Sequence, residues 1–230
     1  MEQEHRPKSA VPVFPLPELV LFPGVSVPLH VFELRYRTMV RDILSGDRTL
    51  ALAVLMPGYE LDYHGSPAFH PLGCLARVEE IEWLPNDRYD LKLVGTSRVR
   101  FGRVAREFPY RAVHVEVLPQ HPYAEDDPLV LLDKRALFEL HARLVRVAES
   151  QAGEAGLRGV SVLHPMDSYE RVVNSLSLVC GRTAQERLDL LGEDSVIERG
   201  RRVREALERL LGAPDAARPR REDPPGGERN

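Results

Sequence analysis

Residues 11–37 read VPVFPLPELVLFPGVSVPLHVFELRYR, an apolar run in which prolines stand at positions 12, 15, 17, 23 and 28. Each proline fixes its own φ and biases the preceding residue toward extended backbone, so the run cannot be one helix. It reads instead as a strand over residues 11–15, a loop through Pro17 and Glu18, a turn at Phe22-Pro23-Gly24, and a second strand over residues 27–32. The same prolines, with Glu18, exclude a membrane-spanning helix here.

Outward from this segment the periodicity changes twice. Tyr36, Met39, Val40, Ile43 and Leu44 recur at spacings of three and four, one face of a helix that Gly46 stops. Residues 50–56 are a short apolar run closed by Pro57-Gly58, which predicts a buried strand, and residues 59–71 read as a loop. From 74 to 117 alternation dominates: Tyr89, Leu91 and Leu93 alternate with Asp90 and Lys92, and Val113, Val115 and Val117 with His114 and Glu116. Residues 84–88 are the expected hairpin loop, and a bulge is expected near Gly102.

Beyond Pro128 the pattern is helical. Asp127-Pro128 is a cap followed by a first-turn proline, and Val130, Leu137, Leu140, Leu144 and Val147 form one stripe. Asp167 with Glu170, Thr183 with Glu186, and Ser195 with Glu198 each predict a capped helix start, while Gly181, Gly192 and Gly212 fall where helices should end. Strands first and helices afterwards, without βαβ alternation, predict an α+β fold. The expected division is a β-rich region over residues 11–118 and a helical region over 128–211, with residues 1–10 and 212–230 disordered on composition.

Composition narrows the function classes. The formal net charge of -4 gives no general attraction to nucleic acid or acidic membrane surfaces. The polar start MEQEHRPKSA lacks the apolar core of a secretory signal, and two isolated cysteines suit a reducing cytoplasm. Lysine occurs only at 8, 92 and 134, none following a glycine, which excludes a phosphate-binding P-loop; no G-x-G-x-x-G is present either. Gly24-Val-Ser26 and Gly159-Val-Ser161 begin a nucleophile elbow, but Pro28 and Leu163 replace its second glycine.

The remaining candidates have ordinary readings beside the functional ones. His64, His70 and Cys74 match no compact zinc spacing and read as loop histidines and a buried cysteine. His30 is expected to donate to a backbone carbonyl rather than act as a base, and of Glu79, Glu80 and Glu82, which could be read as paired acids for hydrolysis, one or two are expected simply to face solvent from a strand. Arg98, Arg100, Arg103, Arg106 and Arg111 are a candidate basic patch for phosphates, or partners of Glu107 and Glu116. No catalytic residue, metal site or cofactor site is assigned.

Three motifs carry a resemblance. Phe22-Pro23-Gly24, Pro28-Leu-His-Val-Phe-Glu33 and Arg35-Tyr-Arg37 resemble, in that order, the start of the Lon protease N-terminal domain family; Gly73-Cys-Leu-Ala-Arg-Val-Glu-Glu80 and Leu93-Val-Gly-Thr-Ser-Arg-Val-Arg100 resemble two of its later strands. Asn174-Ser-Leu and Gln185-Glu-Arg-Leu-Asp-Leu-Leu191 look like its helices, so the resemblance covers nearly all of residues 11–211. It implies a PUA-like β pseudo-barrel with one packed helix, followed by a helical bundle. Full Lon proteases add an ATPase module and a Ser-Lys peptidase. The implied function is that of a stand-alone, non-catalytic binder of unfolded or degron-bearing polypeptides, partnered with a separate ATP-dependent protease.

Under that reading the turn is expected to leave Leu21, Phe22 and Pro23 partly exposed as peptide contacts, with Tyr36 and Trp83 extending the patch, although burial is the commoner fate of both. The alternative is RNA binding by the face that carries Arg98, Arg100, Arg103 and Arg106.

Overall fold

A computed structural model describes residues 10–62, 65–152 and 163–212. Strands β1 (Val11–Leu16) and β2 (Ser26–Val31) lie on either side of the Phe-Pro-Gly turn, followed by helix α1 (Leu34–Leu44), β3 (Thr49–Leu55) and a 3-10 turn at Tyr59–Asp62. Two long strands come next, β4 (Phe69–Leu84) and β5 (Arg88–Arg106), then β6 (Ala112–Val117). Helices α2 (Pro128–Ala152), α3 (Tyr169–Cys180), α4 (Ala184–Leu191) and α5 (Val196–Gly212) complete the fold, which is α+β.

The strands run β2-β5-β4-β3-β1-β6, and β5 also pairs with β6. Five strands therefore close into a ring, and β2 hangs on its outside. The length of β5 makes this possible: residues 89–94 pair with β2, while residues 99–106 pair with β6. Register shifts between Phe101 and Val104 and between Val104 and Arg106 bend β5 into closure, at the bulge that the slip of alternation near Gly102 predicts. One pairing departs from expectation. β1 and β3 are parallel, joined by a crossover that contains β2 and α1, so the chain does hold one parallel unit.

Each ring strand buries two faces. Val11, Val13, Ala51, Ala53, Leu75, Val99, Phe101 and Val113 fill the inside. Phe14, Leu50, Leu52, Val54, Cys74 and Ala76 face outward into a larger core shared with α1 and the helices. Double burial is why β3 reads as an unbroken apolar run rather than an alternating one. Helix α1 buries Tyr36, Met39, Val40 and Ile43, and α2 buries Val130, Leu137, Leu140 and Leu144. Because the larger core contains residues of both the strands and the helices, the sheet and the bundle share one apolar interior.

The caps hold with local corrections. Asp127 accepts the Leu129 N–H at 2.8 Å, and Thr183 with Glu186 forms a complete capping box. The α3 cap is Ser168, one residue later than predicted, because Asp167 turns back to take the His164 N–H. Ser195 caps α5, but Glu193 rather than Glu198 takes the Ser195 N–H. Gly181 and Gly192 end their helices at negative φ, so neither supplies a left-handed cap. The expected loop over residues 59–71 includes the 3-10 turn and the start of β4. Gly212 is the last residue of α5, and the disorder expected of residues 1–9 and 213–230 concerns positions outside the described residues.

Candidate functional site

The Phe-Pro-Gly turn lies under α3. Leu21 and Phe22 are 1% and 0% exposed, which corrects the expectation that the turn presents them to a peptide. Gly24 has φ +73, and its N–H donates to the Gly95 carbonyl at 2.8 Å. Any side chain at Gly95 would collide with Phe22, because a Cβ there would sit 2.1 Å from the Phe22 carbonyl oxygen. From above, Asn174 Nδ2 donates to the Pro23 carbonyl at 2.9 Å and Arg171 Nη1 to the Gly24 carbonyl at 2.8 Å. Apolar burial below and side-chain donors above hold the turn, while Pro23 and Gly24 stay partly exposed. Tyr36 is also buried, its ring 4.2 Å from that of Phe14.

Arg98 corrects the second expectation. It shares a sheet face with Arg100, but that face is where the helices dock, and Arg98 is only 3% exposed. Its guanidinium donates to the carbonyls of Leu191, Glu193 and Pro119 and to the Asp194 carboxylate at 2.9 Å. Arg199, wholly buried on α5, donates to the same Glu193 carbonyl and to Asn174 Oδ1, both at 2.6 Å. Burial, then the neighbouring charge of Arg98, pulls the Arg199 pKa down to about 10. The two arginines bind the sheet to the α4–α5 turn and to α3. Their seam borders a polar cavity of about 350 Å³ lined by Pro23, Gly24, Ser97, Glu170 and Arg171.

The other arginines do not gather into one face. Arg100 is exposed and lies opposite Glu116 on β6. Arg103 meets His114, Arg106 stacks over the Tyr110 ring at 4.1 Å, and Arg111 pairs with Glu107. Bulges in this half of β5 break the two-residue alternation that a continuous basic stripe needs.

Trp83 behaves differently. It is 73% exposed near the end of the β4–β5 hairpin, against the commoner fate of a tryptophan. The register explains why: Val31, Tyr89 and Trp83 are cross-strand neighbours, as are Leu29, Leu91 and Ile81. These rows belong to the core face, and Tyr89 and Leu91 are buried while Ile81 and Trp83 on the outer strand are exposed. The Trp83 ring stacks near Tyr89 with centroids 6.1 Å apart. With Leu44 and Arg41 of α1 they line an open hollow of about 610 Å³.

The tip is held in place by a short turn. Asn86 and Asp87 have φ of 64 and 58, the left-handed conformation that Asn and Asp tolerate best among side-chain-bearing residues. Asp87 then accepts from Arg41 at 2.7 Å, Arg37 at 3.3 Å and Tyr89 Oη at 3.1 Å. Ile81 and Asp87 were not singled out from sequence, and Leu44 was read only as part of the apolar face of α1. The alternation of Ile81, Trp83, Tyr89 and Leu91 contains the signal for the apolar face, but the place where α1 stops covering it is a tertiary fact.

Other reactive side chains are quiet. Burial pushes the thiols of Cys74 and Cys180 up to about 12. His30, expected to donate to a carbonyl, instead meets Asp90 at 2.6 Å on the wet face. His70 stands on β4, and His64 lies outside the described residues. Among the described residues no three His, Cys, Asp or Glu side chains are grouped to hold a metal, and no helix is long and apolar enough to cross a membrane.

A closed ring with an appended strand, one packed helix and a docked bundle defines an α+β pseudo-barrel. The family of the ATP-dependent protease La (LON) substrate-binding domain matches residues 10–209, and the chain belongs to it. It is 24% identical over 167 residues to a Lon protease of Desulfosudis oleivorans, spanning 73% of this chain and 20% of that protein. A Lon protease of Chloroflexus aggregans is 25% identical over 214 residues, spanning 91% of this chain and 25% of the relative. The chain thus matches about a quarter or less of the length of these relatives. Among solved structures, the Lon N-terminal domain protein from Xanthomonas campestris superposes with a TM-score of 0.57 at 26% identity, over 89% of this chain and 98% of that one. The N-terminal domain of Mycobacterium avium complex Lon protease shares the fold at a TM-score of 0.55 and 19% identity, over 87% of this chain and 98% of that one.

Proposed function

We propose that the chain is a non-catalytic module that captures unfolded or degron-bearing polypeptides and serves protein turnover as an adaptor or regulator beside a separate ATP-dependent protease. Trp83 and Ile81 carry this reading. They extend the core face of the sheet into solvent beside a hollow rimmed by one cation and one anion, the character of a surface that accepts apolar side chains. Membership in the substrate-binding family supports it. The RNA alternative loses its central residue, since Arg98 is spent inside the seam.

The test uses a permanently unfolded client that has no tryptophan, reduced and carboxymethylated ribonuclease A, titrated into the purified protein. Trp83 is the chain's single tryptophan, so its emission reports the face directly. Saturable binding with a blue shift, competed by added client and lost in Trp83→Ala when followed by client anisotropy, is expected. Absence of client binding, or binding that Trp83→Ala leaves intact, would overturn the proposal.

A further inference from the structure

The β4–β5 hairpin outgrows the ring. The β3–β4 ladder reaches the Thr49–Arg77 pair, and the Arg48 carbonyl takes the Val78 N–H as one more bond. β4 nevertheless runs on to Leu84, and residues 80–84 pair with β5 alone. Among the described residues nothing pairs with the backbone of their second edge, the feature to which an extended chain adds by strand pairing.

The two faces of this edge strand differ. A register shift between Val78 and Glu80 sets Ile81 and Trp83 on the core face beside the hollow and Glu80 and Glu82 on the wet face. Lys92 neutralises Glu80 at 2.6 Å. Glu82 lies directly across from Asp90, a like-charge pair in which Asp90 is bonded to the half-exposed His30. Among the described residues Glu82 has no hydrogen bond or ion pair. An anion left uncompensated on the wet face of an open edge is complementary to a cation carried by an incoming strand.

We propose that the free edge over residues 80–84 accepts, by strand addition, a short extended segment of another polypeptide in which apolar and basic residues alternate. Apolar side chains then cover Ile81 and Trp83 and basic ones stand beside Glu82. This rests on the reading of the chain as a polypeptide binder and gives that binder a sequence preference. A second copy of the chain is a poor occupant, since its own edge would bring Glu80 and Glu82 against the same acids.

The probe is a seven-residue peptide of alternating valine and lysine, followed by Trp83 emission. Controls are a peptide of the same composition with valines and lysines in two blocks, a valine-glutamate peptide, and two N-methylated isomers of the valine-lysine peptide. One isomer is methylated at the amides of one edge, the second at those of the other. Strand addition predicts that one isomer loses about tenfold or more in affinity while its counterpart keeps it. The block and valine-glutamate peptides should bind weakly, and Glu82→Lys, an exposed change checked by circular dichroism, should move the preference toward glutamate. Equal binding of both N-methylated isomers, or of the alternating and block peptides, overturns the inference. Denatured client binding without any valine-lysine binding also overturns it while leaving the proposed function standing; loss of both removes the function itself.

Discussion

The seam around Arg98 and the arm that ends at Trp83 reverse the usual placement of side chains. In the seam, charged side chains are inside: Arg98 and Arg199 are 3% and 0% exposed, beside a wholly buried Phe22. At the arm a tryptophan and an isoleucine stand in solvent among carboxylates. The contrast follows from what packs against each. Backbone carbonyls at the C-terminal end of α4 and at Pro119 supply acceptors that make a buried guanidinium tolerable, whereas among the described residues no element covers the outer strand beyond α1. One region holds the fold together and the other is free to meet a partner.

That division is easiest to break at Arg98. Replacing it with alanine leaves the carbonyls of Leu191, Glu193 and Pro119 without this donor, at roughly 1–3 kcal/mol for each buried acceptor left unsatisfied, so urea denaturation should show a loss of about 3–5 kcal/mol. A loss below 1 kcal/mol, on the order of an exposed ion pair, would mean that the seam is wet and the contrast false.

Phe22 and Trp83 sharpen the comparison on the apolar side. Phe22→Ala should cost about 3–5 kcal/mol, the range of a core aromatic. Trp83→Ala should change stability by no more than about 0.5 kcal/mol while abolishing client binding. Equal losses in the two variants would mark Trp83 as structural.

Thr183→Ala tests the capping box at the start of α4, the helix that leads into the carbonyls Arg98 grips. A loss of about 1 kcal/mol is expected in thermal or urea melts. The smallest effect concerns Glu198, whose carboxyl is held down to about 2 by hydrogen bonds from Arg201 and then Arg202. A carboxyl lowered in the folded state stabilises above its ordinary value of 4.5 and loses that contribution as pH falls toward 2. Glu198→Gln should therefore flatten the part of the acid limb between those values, read as melting temperature against pH.

Much of the fold was legible along the chain because it rests on local rules. Prolines forced the extended opening, three-and-four spacing gave α1, and alternation gave the two faces of β5. Thr183 and Glu186 announced a helix start that the structure shows in full. The candidate site was less legible. Leu21 and Phe22 looked like part of a partly exposed apolar turn, because nothing nearby in sequence reveals that α3, some 150 positions later, lies over it; of the three only Pro23 keeps partial exposure. Arg98 and Arg100 share one strand face and were indistinguishable by type and spacing, yet one is buried and the other exposed. Trp83 was named, but nothing in sequence joined it to Leu44 of α1 or marked Asp87 in the hairpin turn as a neighbour.

The sequence by itself determined the order of strands and helices, the bulge in β5 and the apolar stripes of α1 and α2, since steric limits on φ and the periods of strand and helix act within a few residues. Tertiary structure alone decided which turn is covered, which arginine is paired and which aromatic remains in water. Exposure depends on what docks from elsewhere, and whether burying a charge or an apolar ring is favourable depends on the donors, acceptors and surfaces that the docking element brings.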